Sequence, residues 1–157
     1  MELVYVAFGS NVGDRKAHVE ASLDCLRNTP GISVLRVSGM IETDFVGAGP
    51  EQERFLNGVV ELKTSLTPMA LLCVLQALEA AAGRKFPHET NQPRELDLDI
   101  ILFGSRTIDT RELVVPHPRY HEREFVAGPM RELGVDVLPA PGQVLESLLE
   151  LLRHLAG

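Results

Sequence analysis

The chain has 157 residues with 45% apolar and 24% charged side chains, so we expect a single domain, 1–157, able to bury a substantial core. Lys plus Arg number 15 against 22 Asp plus Glu, a net charge of −7. That balance argues against a nonspecific nucleic-acid binder, which relies on neutralising phosphates, but it allows a small anion held by a few local arginines.

The two cysteines, Cys25 and Cys73, fall inside helical patterns without metal-ligand spacing. They are expected to be reduced, small core residues of a cytoplasmic protein. No signal peptide, membrane span or internal repeat is expected.

Residues 2–9 read as a first strand. Gly9-Ser10-Asn11-Val12-Gly13-Asp14 reads as a strand-to-helix turn with Asp14 as N-cap, and it lacks the Gly-Lys-Ser/Thr of a P-loop. A helix is predicted from Arg15 to Arg27 with Val19, Leu23 and Leu26 inward, ended by Pro30-Gly31. A strand from Ile32 to Glu42 and a long loop from Thr43 to Glu53 follow.

The next strand, Phe55 to Thr64, places Phe55 and Asn57 on one face. An aromatic ring beside an amide suits a flat heterocycle, though a core Phe beside an edge Asn fits equally. Thr67, Pro68 and Gly83 punctuate a second helix with Leu71, Leu72, Leu75 and Leu78 buried; Gln76 and Glu79 lie on its polar face, where simple solvation is the plain reading. A polar loop, Arg84 to Gln92, leads to the segment 93–104.

That segment alternates, with Leu96, Leu98, Ile100 and Leu102 on one face and Asp97 and Asp99 on the other. The aspartates start only ~7 Å apart and repel by about 2.4 kcal/mol at an effective dielectric of ~20. Either they merely face water, or they bridge Mg²⁺, a hard cation that also holds phosphates. Asp is a poor strand former, so two in one short strand call for a reason. Arg94, just before the strand, can meet a phosphate.

Downstream, Thr107-Ile108-Asp109 and the stretch Leu113 to Val126 read as a hairpin-like segment. His117 lies between two prolines, and with Arg119 and Arg123 it makes a local basic cluster suited to a polyphosphate, or to ion pairs with Glu122 and Glu124. An amphipathic packing helix is predicted over Val144 to Leu155. The order of elements is that of an α+β fold, a ferredoxin-like βαββαβ sandwich: an antiparallel sheet with helices on one face plus a C-terminal helix.

From about Val4 to Leu133 the motifs follow one another at family-like spacing. Ala7-Phe8-Gly9-Ser10-Asn11-Val12-Gly13-Asp14, Phe55-Leu56-Asn57, Gly83-Arg84, Pro93-Arg94-Glu95-Leu96-Asp97-Leu98-Asp99-Ile100, Val115-Pro116-His117-Pro118-Arg119 and Arg123-Glu124-Phe125-Val126 together resemble the 6-hydroxymethyl-7,8-dihydropterin pyrophosphokinases of folate biosynthesis. The resemblance implies transfer of pyrophosphate from MgATP to the pterin hydroxymethyl group, with release of AMP. It implies two Mg²⁺ ions on Asp97 and Asp99, a pterin ring sandwiched by Phe55 and Phe125 and read by Asn57, and further pterin contacts from Thr43, Val46 and Asp97. It also implies phosphate contacts from Arg84 and Arg94, and a nucleotide side lined by Gln76, Glu79, Ile100, His117 and Arg123.

The family's Trp-Gly-Pro-Arg-Thr is replaced by Asn91-Gln92-Pro93-Arg94-Glu95, and the chain has no Trp. A loop arginine common in the family is Phe86 here, next to Lys85. The expected partners are ATP and a reduced pterin, with no nucleic acid or membrane, acting as a monomer or else a dimer. Two other readings stand beside this one: a paralogue that binds pterin and nucleotide without turnover, and a ferredoxin-like RNA-binding module stacking bases on Tyr5, Phe8 and Phe55.

Overall fold

The computed structural model of the chain describes residues 1–43, 54–83, 95–135 and 141–156. Its elements are β1 (Glu2–Ser10), α1 (Arg15–Arg27), β2 (Ile32–Val37), β3 (Ile41–Thr43), β4 (Phe55–Thr64), α2 (Pro68–Ala81), β5 (Asp97–Phe103), β6 (Ile108–Asp109), β7 (Val114–Val115), α3 (Glu124–Glu132) and α4 (Pro141–Ala156). The main sheet runs β2-β4-β1-β5, with β3 also paired to β4 and every pairing antiparallel. This is the ferredoxin-like α+β arrangement: the two central strands are β1 and β4, and β5 forms an edge.

Local chemistry sets the helix starts. The Asp14 carboxylate accepts from the Ala17 N–H and the Thr67 hydroxyl from the Ala70 N–H, each satisfying an amide that the first turn leaves without a partner. α1 and α2 then bury Val19, Leu23, Leu26, Leu71 and Leu75 against Val4, Val6, Phe8, Val60, Leu62, Leu98, Ile100 and Phe103 of the sheet. Leu72 and Leu78 are partly buried against the same cluster. Gly58 makes room for the Phe8 ring, since a Cβ there would meet Phe8 Cζ at 2.3 Å.

The opposite face is also partly covered. Tyr5, Ala7, Val59 and Ile101 pack with Tyr120 and with Val126, Met130 and Leu133 around α3. The sequence analysis has a hairpin-like segment here and no α3. Gly128 and Pro129 inside the helix hide it, because both residues argue against helix, while the Val126, Met130, Leu133 spacing of four and three is the signal that survives. The hairpin itself is present as β6 paired with β7.

Several further expectations are corrected. The predicted strand from Ile32 to Glu42 divides into β2 and β3 because Ser38 turns its own side chain into the ladder: its Oγ accepts from the Val59 N–H. Leu102 does not share a face with Leu98 and Ile100. The β1–β5 register shifts between Tyr5 and Val6, which pair with Leu102 and Ile100, so Ile101 is an extra residue and Leu102 packs on the α3 side. Cys25 and Cys73 are free and exposed rather than core residues, since each falls on the outer side of its helix. On α4, Leu148, Leu149, Leu152 and Leu155 are exposed; an amphipathic pattern tells which side is apolar, not what that side meets.

Candidate active site

Strand register brings the candidate residues together on the sheet face away from α1 and α2. Asn57 of β4 lies opposite Gly9 of β1, and Gly9 lies opposite Asp97 of β5. Asp99 faces Ala7, and Thr43 of β3 faces Phe55 of β4. With strands ~4.8 Å apart, the backbones of Asn57 and Asp97 stand about 10 Å apart across a residue that has no side chain. A Cβ on Gly9 would sit 3.0 Å from Asn57 Oδ1 and 3.7 Å from Phe55 Cδ1, so its absence leaves a floor between amide and carboxylate. Asn57 is 6% exposed, and its Nδ2 donates to Thr43 Oγ1 at 2.7 Å. That bond fixes which edge of the amide can meet a ligand.

Asp97 is half-buried and Asp99 exposed, with both side chains on this face of β5. Two hard carboxylate donors, ~7 Å apart along a strand, fit Mg²⁺, which takes one or two protein carboxylates and completes its shell with phosphate oxygens and water.

Glu79 is not solvated as the polar-face reading of α2 expects. It is 5% exposed, and its Oε2 accepts from the Leu98 N–H at 3.0 Å. Leu98 separates the two aspartates, so α2 anchors the strand that carries them. Gln76, one turn earlier, is exposed. Ile100 is buried in the cluster under α1 and α2, on the other side of β5 from the aspartates. Gln76 and Glu79 on α2 and Ile100 on β5 therefore lie on the helix side of the sheet, opposite the face that carries Thr43, Phe55 and Asn57.

The basic segment reaches the same strand from its far side. The His117 N–H donates to the Ile101 carbonyl at 3.0 Å. His117 Nδ1 accepts from the Arg119 N–H at 3.3 Å, which leaves the proton of the neutral ring on Nε2. Burial, and then the charges of Arg123 and Arg119, push its pKa down to about 4, so the ring is neutral at pH 7. Arg123 precedes α3, and its guanidinium carbon lies 5.9 Å from the centre of the Phe125 ring. Phe125 is partly buried against the α3-side cluster. The ion-pair reading of this segment is half met: Arg119 contacts Glu122 at 3.4 Å, but Glu124 pairs with Arg131. Arg84, Arg94 and Val46 lie outside the described residues.

Of the three footholds of the RNA-binding reading, Tyr5 and Phe8 are 7% and 2% exposed and have no face free for a base; only Phe55 is partly open. Sequence reasoning treats Gly9 only as the end of a strand and the start of a turn. The signal that it does more is its place opposite both Asn57 and Asp97, and this needs the register.

Comparison with known proteins agrees with the geometry. The sequence profile of the 7,8-dihydro-6-hydroxymethylpterin-pyrophosphokinase family matches residues 5–135. The chain is 43% identical over 131 residues to the 2-amino-4-hydroxy-6-hydroxymethyldihydropteridine pyrophosphokinase of Bacillus subtilis, covering 83% of this chain and 77% of that one. It is 39% identical over 149 residues to the protein of the same name from Pseudomonas aeruginosa, covering 95% and 91%. It is also 40% identical over 132 residues to the folate synthesis bifunctional protein of Arabidopsis thaliana, of which the match spans 27%. With its row of Asn57, Gly9 and Asp97 intact and its sequence matched from β1 to the end of α3, the chain belongs to the 7,8-dihydro-6-hydroxymethylpterin-pyrophosphokinase family.

Proposed function

We infer that this chain transfers pyrophosphate from ATP to the hydroxymethyl group of 6-hydroxymethyl-7,8-dihydropterin and releases AMP, a step of folate biosynthesis. Its membership of the pyrophosphokinase family carries the inference. The row from Asn57 across Gly9 to Asp97 supports it, because it offers an amide for a heterocycle edge, an open floor, and a carboxylate at the far end where an exocyclic alcohol would lie.

In this reading Phe55 and Phe125 hold the two faces of the pterin ring, Asn57 pairs with its edge, and Thr43 and Val46 close the rim. Asp97 accepts the hydrogen bond of the attacking hydroxyl and so aims its oxygen at the β-phosphorus. The new bond joins that oxygen to the β-phosphorus as its proton is lost to solvent; the bond to the oxygen shared with the α-phosphorus breaks, and AMP departs with the electron pair of that bond. Asp97 and Asp99 would hold two Mg²⁺ ions, which when bound supply charge neutralisation along the phosphates. Arg84 and Arg94 would add further positive charge from their loop and its end. The Nε2–H of neutral His117 donates to a phosphate oxygen, and Arg123 stands beside it. Gln76 lies on the nucleotide side, and the buried Ile100 and Glu79 stand behind it, Glu79 holding β5 in place. Reactions of this type depend on positioning and on charge stabilisation, and these roles would supply both.

We place this reaction in the cytoplasm, with the chain acting as a monomer. Among the described residues no helix is long and apolar enough to cross a membrane. The test is an assay of purified chain with MgATP and reduced pterin, reading AMP and the pterin diphosphate in equal amounts. Tight calorimetric pterin binding with no AMP formed over hours would replace the enzyme with a binding paralogue.

A further inference from the structure

α1 begins with two cations, Arg15 and Lys16, and has no acidic residue in its first turn. The helix dipole disfavours positive charge at this end, so the position of Arg15 is not explained by helix stability. Its contacts explain it. Arg15 NH1 donates to the Arg54 carbonyl at 2.6 Å, and NH2 donates to Glu42 Oε1 at 2.7 Å. Glu42 immediately precedes Thr43, and Arg54 immediately precedes Phe55. Thr43 and Phe55 face one another as the last register pair of β3 and β4. One guanidinium therefore joins the residues that adjoin both members of that pair.

We propose that Arg15 is a positioning residue for the pterin slot: its fork, holding Glu42 and the Arg54 backbone at once, sets the spacing of Thr43 and Phe55. The proposal rests on the pterin reading of this face. Thr43 Oγ1 accepts the Asn57 Nδ2 proton, so a shift of β3 away from β4 would rotate the amide as well as widen the rim. The Arg15 side chain is 26% exposed and Glu42 45%, a setting in which an ion pair adds little to overall stability. A planar fork nonetheless fixes two partners in one geometry, which the point charge of a lysine cannot do. The end of β1 thus supplies the slot's floor through Gly9, and the start of α1 the brace of its rim through Arg15.

The test uses Arg15→Met, Arg15→Lys and Glu42→Gln in the full chain, with reduced-pterin affinity read by equilibrium fluorescence titration and by steady-state kinetics. Arg15→Met is expected to weaken pterin binding and raise its KM by about tenfold, while kcat and the KM for MgATP move by less than about twofold. Arg15→Lys should recover part of the loss, and Glu42→Gln should lose less than Arg15→Met because the Arg54 carbonyl remains bound. A lowered melting temperature with pterin affinity and KM unchanged would assign Arg15 a merely structural role and overturn the proposal. If Arg15→Met does not fold, Glu42→Gln decides by the same titration. A parent chain that binds pterin but forms no AMP would sink the pyrophosphokinase reading and leave the titration to judge Arg15; a parent chain that binds no pterin would overturn both.

Discussion

Asn57 Oδ1 occupies the space beside Gly9 so closely that a methyl group on Gly9 would stand 3.0 Å from it. The backbone of Gly9 is extended within β1 and would accept alanine, so the cost of Gly9→Ala comes from crowding. Overpacking of this kind costs about 1–3 kcal/mol, and here the amide and the Phe55 ring must yield. Gly9→Ala is expected to lose about 1 kcal/mol in denaturant unfolding and to raise the pterin KM by about tenfold or more. A variant with the parental pterin KM would show that nothing binds over this floor.

Asp97 and Asp99 should be far more sensitive than their place on an edge strand suggests. Replacing either by Asn keeps the side chain's shape and removes a charge that would meet the metal. Each variant is expected to lose about 3 kcal/mol or more of transition-state stabilisation, at least a hundredfold in kcat/KM, with an unchanged circular dichroism spectrum. Calorimetry of Mg²⁺ with a nonhydrolysable nucleotide should lose the metal-dependent heat in the same variants. Parental turnover by Asp97→Asn would remove the metal assignment.

A partly buried network farther along the same sheet face ties the end of α3 to the sheet. The Tyr5 hydroxyl donates to Glu61 Oε2 at 2.5 Å, Arg36 donates to both Glu61 oxygens at 2.9 and 2.7 Å, and the same guanidinium reaches the Leu133 carbonyl at 2.6 Å. The Arg36 hydrogen bonds hold the Glu61 carboxyl below its ordinary range against the opposing effect of burial, while burial and Glu61 push Tyr5 up to about 12. For Glu61 the stability is present above the unfolded carboxyl's pKa and is lost as pH falls through the lower folded value. For Tyr5 it is full below about 10 and lost as pH rises toward 12. Arg36→Leu leaves a carboxylate that is 5% exposed without its main partner and should cost about 2 kcal/mol in chemical unfolding. It should also flatten the acid limb of stability against pH; an unchanged limb would mean Glu61 contributes nothing to it.

His117 should titrate near pH 4 rather than near 6.5. Its folded pKa is depressed, so between about 6.5 and 4 the unfolded chain takes up a proton that the folded chain refuses. Stability therefore falls as pH drops through that window, adding to the loss from Glu61. Imidazole chemical shifts followed by NMR give the midpoint directly. Arg123→Gln should raise it, because one of the two opposing positive charges is removed. A midpoint near 6.5 in the parent chain would contradict the half-buried, Nε2–H form assigned here.

Periodicity and punctuation were enough to place Arg15–Arg27 and Phe55–Thr64 with the bounds the structure has. Capping, helix-breaking residues and side-chain alternation act over a few residues, so they can be read locally. The same is true of Asp97 and Asp99, whose shared face follows from a period of two. Glu79 and Leu102 depart from their local pattern for one reason: each is decided by a neighbour distant in the chain. Glu79 is buried because Leu98 offers an N–H, and Leu102 changes face because β1 pairs around Ile101.

By itself the sequence determined the type and order of most elements, the carboxylate pair on one strand face and the motifs of a pyrophosphokinase family. Tertiary structure alone decided that Asn57 and Asp97 flank a glycine, that α3 forms despite Gly128 and Pro129, and that Arg15 reaches both Glu42 and the backbone of Arg54. Residues far apart in the chain meet only through strand register and helix packing, and those are set by the burial of the whole core rather than by any local run of residues.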